Sequence, residues 1–185
     1  MRSHLRALPS LAGAAPAFDL EALTGDPVAL FLEWLEHAER AGVAEPHAMT
    51  LSTVDEHGAP DARILLLKDV DESGWAFAST RTSAKGLQLA VNPQAALTFW
   101  WQPLVRSVRV RGPVIEASRE ESMADLRARS VAAQEGVDPD DWTVWRVVPT
   151  HVEFWQGSED RLHIRVAFVR SGDAWRVAVA TATGG

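Results

Sequence analysis

From residue 48 onward the chain is built of short runs in which apolar and polar residues alternate, each closed by turn-forming residues. AMTLSTV (48–54), ARILLLK (62–68), GWAFAST (74–80), AALTFWW (95–101) and SVRVRGPVIEA (107–117) are five such runs. Four more follow near 143–148, 151–156, 162–169 and 174–180. A period of two places successive side chains on opposite faces, which suits strands with one buried face. The connecting DEHGAP and DVDESG segments hold the Gly, Pro and Asp that reverse a chain sharply. Many strands in short hairpins, with few helices between them, predict a mainly β, α+β fold. Its expected form is one antiparallel barrel with helices packed at its edges.

Three helices are expected. DPVALFLEWLEHAERAG opens with Asp26 as N-cap and Pro27 at the first position, and closes at Gly42. Val28, Phe31, Leu32, Leu35 and Ala38 form its expected apolar stripe. Ser83 caps a short helix that ends before Pro93, and SREE (118–121) is a capping box opening a helix to about Gln134. Residues 1–25, rich in Ala, Pro and Gly, read as an N-terminal arm, and residues 26–185 as a single domain.

Composition removes several classes of function. The formal net charge of −7 argues against a general nucleic-acid binder. No apolar run approaches the roughly 20 residues of a membrane helix. The start lacks the compact apolar segment of a signal peptide. The absence of cysteine excludes thiolate chemistry and suits the cytoplasm. The six histidines show no metal-ligand spacing, so no metal site is expected. Among 18 basic residues only Lys68 and Lys85 are lysine, which marks both as candidates for ligand contact.

Useful groups concentrate in three places. RILLLK brackets four aliphatics with Arg63 and Lys68, whose five-residue separation points them to opposite faces of an ideal strand. STRTSAKG (79–86) crowds hydroxyls and cations at a helix start, which suits either a phosphate or a solvated, capped turn. In RLHIR, Arg161, His163 and Arg165 share one strand face, and like charges so close repel unless an anion lies between them. That anion is either a ligand or a ladder of acidic neighbours.

Taken together, MTLSTVDEHGAPDARILLLK, the Ser/Thr-Lys-Gly helix start, VEFWQG and RLHIR resemble, in that order, the pyridoxamine 5'-phosphate oxidase family. The resemblance runs over about residues 26–180. It implies an FMN-binding split barrel, a homodimer with two FMN molecules at the subunit interface, and oxidation of an aminomethyl or hydroxymethyl pyridine by O2. By position it assigns Arg63, Ile64, Leu65, Leu66, Leu67, Lys68, Ser79, Lys85, Ser107, Trp155 and Arg165 to the flavin. Within that set Arg63 and Lys85 correspond to the phosphate clamp. It assigns Lys68, Arg129, Arg161 and His163 to the substrate, with Arg161 and His163 as the catalytic pair.

The chain departs from the family pattern at Ala84 (family Arg), Ser107 (Gln), Asp125 (Tyr) and Ala133 (Ser). Only EGVDPDD remains of a longer segment that carries a flavin-contacting Gln-Ser pair. Asp125 in particular is ill suited to a substrate phosphate. The expected function is therefore an FMN-dependent oxidase of small heterocycles. The alternatives are a relative specialised for a non-phosphorylated substrate in secondary metabolism, a flavin or deazaflavin reductase, and a non-catalytic flavin-binding module.

Overall fold

In the computed structural model, which describes residues 1–183, a short helix α1 (Arg2–Ala7) and the longer α2 (Pro27–Arg40) precede the strands. Strands β1 (Ala48–Val54), β2 (Pro60–Leu66), β3 (Asp69–Asp71) and β4 (Gly74–Thr80) lead to α3 (Ala84–Val91). The pair β5 (Gln94–Trp101) and β6 (Arg106–Glu116) follows, then α4 (Arg119–Ala128) and α5 (Val131–Gln134). The chain closes with β7 (Trp142–Val147), β8 (His151–Gln156), β9 (Leu162–Ser171) and β10 (Ala174–Thr183).

All the strand pairings are antiparallel, and the main path runs β10-β9-β8-β6-β5-β1-β2, with β3, β4 and β7 forming a second wing. The expected split barrel with flanking helices is the fold observed. Its pivot is β6, which pairs with β5 and β8 along its first half and with β7 at Val114–Glu116. Gly112 marks the crossing from one wing to the other. A Cβ there would lie 1.9 Å from the Val148 carbonyl oxygen, so no larger residue fits without backbone movement.

Helix α2 plugs the space between the wings. Its Asp26 cap accepts from the Val28 amide, and Pro27 stands at its start. Phe31 packs on Trp75 of β4 and on Phe99 and Trp101 of β5, while Trp34 meets Phe154 of β8 edge-on. The buried residues are Pro27, Leu30, Phe31, Trp34 and Ala38, and Val28 and Leu35 pack against the core, so the expected stripe is corrected only at Leu32. Leu32 faces outward at 41% exposure, because the large Trp34 ring rather than Leu32 fills the core.

Two further expectations are corrected. The run 62–68 is not one strand: β2 ends at Leu66, and the Lys68 amide turns to bond the Ala76 carbonyl of the second wing. The helix expected over 118–134 is two helices, broken where Arg129 turns extended and Ser130 caps anew on Ala133. Ahead of α2, the Ala14 amide donates to the Pro103 carbonyl, Gln156 donates to the Pro16 carbonyl, and Phe18 packs on Trp34. Among the described residues no helix is long and apolar enough to cross a membrane, and no cluster of His, Asp and Glu could hold a metal ion.

Candidate functional site

Strand register assembles a cleft on the outer face of the main sheet. Trp100, Ser107, Trp155 and Arg165 stand directly opposite one another across β5, β6, β8 and β9. Arg109 and Glu153 form part of the adjacent row. Paired residues in antiparallel strands lie about 5 Å apart, so these groups share one patch. With Arg161 and His163 they line a cleft of about 620 Å³. Ser107 leaves a gap between two indoles whose centroids are 6.2 Å apart, and Trp155 also lies 5.1 Å from the His163 ring. The opposite face of the same strands is core, with Val108, Val110, Phe154 and Val166 all buried.

The basic strand face does gain an acidic neighbour. A single oxygen of Glu153 accepts from Arg109 at 2.8 Å and from Arg165 at 2.7 Å. Burial by itself would raise the Glu153 carboxyl, but the Arg165 hydrogen bond and the Arg109 charge outweigh it and hold the group below its ordinary value. The ladder does not exhaust the charge, since three guanidiniums face one carboxylate in the cleft. A group with a lowered folded pKa contributes stability that is present above its unfolded pKa and lost as pH falls through the folded value. Glu153→Gln should therefore show a smaller loss of unfolding free energy between about pH 6 and pH 3 than the parent chain, as read by urea melts. An unchanged acid limb would mean that the triplet contributes nothing.

Two more clusters lie away from this cleft. On β2, Arg63 pairs across from the inward-facing Leu51, and it bonds Thr53, Gln88 and Asp61. Lys85 at the start of α3 is lowered by burial and then by the charge of Arg63, so two cations are held close together. Ser79 is buried nearby, its hydroxyl 3.3 Å from that of the cap Ser83. In the same turn Arg81 and Thr82 are already engaged by Glu116 and Asp141, which leaves Ser79 and Lys85 as its candidate anion donors. Strand alternation splits the remaining predicted positions: Leu65 and Leu67 pack on the core, while Ile64 and Leu66 are exposed at 65% and 40%.

The third cluster joins Lys68, Asp125 and Arg129 around Trp142. Lys68 lies 3.5 Å from Asp125, whose other oxygen accepts from the Trp142 indole at 3.0 Å. The Arg129 guanidinium stacks 4.2 Å above the same ring. Ala133 sits one turn further on, in α5. Two predicted substrate positions, Lys68 and Arg129, thus do converge, but the lysine already has an internal counter-ion in Asp125.

Sequence reasoning missed Trp100, Glu153 and Trp142. For Trp100 a signal existed: alternation in AALTFWW sends Trp101 inward and Trp100 outward. Glu153 was legible too, as a lone charge at the centre of HVEFWQ with the parity of Trp155.

The donor set suits a phosphorylated, planar cofactor such as FMN. Paired cations with a hydroxyl suit a phosphate, and indoles with a guanidinium suit a polar ring system. Within one chain these halves lie on opposite faces of the sheet, because Arg63 shares the inward row of Leu51, Leu97, Val110 and Val152, and Trp155 the outward one.

A family model described as pyridoxamine 5'-phosphate oxidase matches residues 35–156, and one described as the pyridoxine 5'-phosphate oxidase C-terminal dimerisation region matches residues 142–179. A pyridoxine/pyridoxamine 5'-phosphate oxidase of Thermosynechococcus vestitus is 40% identical, over 82% of this chain and 86% of that protein. One from Cupriavidus necator is 39% identical, over 82% and 87%. Among solved structures, PhzG from Burkholderia lata, in complex with tetrahydrophenazine-1-carboxylic acid, superposes with a TM-score of 0.85 at 24% identity, covering 92% of this chain and all of that one. A pyridoxamine 5'-phosphate oxidase-related, FMN binding protein from Nostoc punctiforme gives 0.66 at 18% identity, over 86% and 99%.

Proposed function

The chain belongs to the pyridoxamine 5'-phosphate oxidase family, and from that premise we propose that it is an FMN-dependent oxidoreductase of small heterocyclic substrates, working as a homodimer. The observation that carries the proposal is the outer-face cleft, where Trp100, Trp155, Arg165, Arg161 and His163 meet around the gap at Ser107. Trp155 and Arg165 would hold the ring system of FMN, and Arg63, Lys85 and Ser79 its phosphate. Bound FMN would supply the two-electron chemistry, with O2 as the final acceptor. Arg161 and His163 orient the substrate and stabilise charge that develops on it.

The opposite-face placement of Arg63 and Trp155 supports the dimer, since two copies can join the halves of the cofactor site that one chain keeps apart. The exposed Ile64 and Leu66 on the edge strand, and the match to a dimerisation region, support it further.

A specific observation favours a substrate without a phosphate. In the family pattern Lys68 meets the substrate phosphate, whereas here Asp125 lies 3.5 Å from it. The bound ligand named for the PhzG structure is a carboxylic acid of a reduced ring, which accords with this reading.

The test begins with the purified protein. It should be yellow or bind added FMN, and the released cofactor should have the mass of FMN. A colourless protein that ignores FMN overturns the proposal. With flavin bound, oxygen consumption on pyridoxamine 5'-phosphate, set against non-phosphorylated reduced heterocycles, decides the substrate class.

A further inference from the structure

We propose that Asp160 is a positioning residue, which fixes the tautomer of His163 by holding the turn over residues 158–161. The His163 ring is 7% exposed, and its Nδ1 lies 3.0 Å from the Ser158 backbone nitrogen. A backbone amide can only donate, so Nδ1 must present its lone pair. A neutral imidazole so bound carries its hydrogen on Nε2 and is a donor from that atom alone. His163 is therefore set to donate to a ligand rather than to accept a proton from it through Nε2.

What aims the Ser158 amide is the turn itself. Arg161 donates its amide to the Ser158 carbonyl at 3.1 Å, and Arg161 stands in the left-handed region at φ 66°. That backbone is disfavoured for any residue with a Cβ, so the turn needs bonds to hold it. One oxygen of Asp160 supplies them: it accepts from the Ser158 hydroxyl at 2.6 Å and from the Leu162 amide at 2.8 Å. The two bonds tie the start of the turn to the first residue of β9. The Gly157 amide bonds the Val105 carbonyl and so anchors the turn from behind. Asp160 does not line the cleft. It acts through Arg161, whose backbone it constrains, and through His163, whose ring it orders. Its catalytic meaning rests on the cleft being the reactive site, as read above.

The experiment is nitrogen-15 NMR of the histidine side chains in the protein as purified, with His163 assigned by its loss in His163→Gln. The parent should show a protonated Nε2 and a well-separated, unprotonated Nδ1. In Asp160→Ala the two shifts should move toward each other as both tautomers become populated. Ser158→Ala, which removes one of the two bonds, should move them the same way by less. Asp160→Asn keeps an acceptor oxygen and should restore the parental separation. An unchanged His163 spectrum in Asp160→Ala, or in Ser158→Ala should the former fail to fold, overturns the proposal. The ring reports its tautomer whether or not any substrate turns over, so this result stands apart from the test of function.

Discussion

Arg146→Ala should lower the unfolding free energy by about 2–4 kcal/mol, the largest loss expected of any single change outside the aromatic core. Arg146 is 8% exposed on β7 and donates to Asp69 and Asp71 of β3 at 2.8 and 3.2 Å, and to Glu121 of α4 at 2.6 Å. Breaking a buried pair by removing one partner costs about 3–5 kcal/mol. Here the carboxylates left behind are 38% to 53% exposed, so water recovers part of that cost. For a chain of this length each kcal/mol moves the melting temperature by about 2–4 °C, so a fall of roughly 5–15 °C is expected. The consequence is also local. Glu121 lies one helical turn before Asp125, and Asp69 follows Lys68 directly, so the clamp sets the gap between that lysine and its counter-ion. A melting temperature within about 2 °C of the parent would show that the three carboxylates are held by other means.

The second large effect concerns specificity. Asp125→Asn keeps an acceptor for the Trp142 indole but removes the charge facing Lys68. A lysine released in this way can make a charge-assisted bond to a substrate phosphate, worth about 1.5–3 kcal/mol. The KM for pyridoxamine 5'-phosphate should then fall by about 10- to 100-fold relative to the parent, while a non-phosphorylated substrate is little affected. Asp125→Tyr, which restores the family residue, should act in the same direction. Steady-state kinetics on both substrate types make the comparison. If neither variant improves on the phosphorylated substrate, Lys68 is not the obstacle, and the substrate-phosphate assignment of this cluster is wrong.

Local pattern was legible where a single element carries its own signal. The Asp26-Pro27 start of α2, the Ser83 cap and the β5–β6 hairpin all stand where their residue types and periodicity place them. RLHIR, in the same way, puts His163 and Arg165 on the face away from the core. What the sequence hides is partnership across distance. Glu153 meets Arg109 from 44 residues away, and Arg146 meets Asp69 from 77. Nothing in either segment marks the pairing, because it follows from strand order and register. The exposed outcome for Leu32 has the same origin, since only the packed sheet decides which flank of a helix it accepts. The break at Arg129 was hidden too: a helical pattern continues through RARSVAAQ, but the chain turns extended where its guanidinium stacks on Trp142.

The shared strand β6 has a consequence for how the protein comes apart. From Arg106 to Arg111 it is flanked by β5 on one side and β8 on the other, and from Val114 it belongs to the second wing. Its amides from Arg106 to Arg111 are exposed only when the middle of the main sheet opens, whereas β2 and β10 lie at the two ends of the strand path. The cleft residues Ser107 and Arg109 ride on this strand. The candidate cleft thus rests on backbone that the sheet holds from both sides, where local opening costs more than it does at the margins.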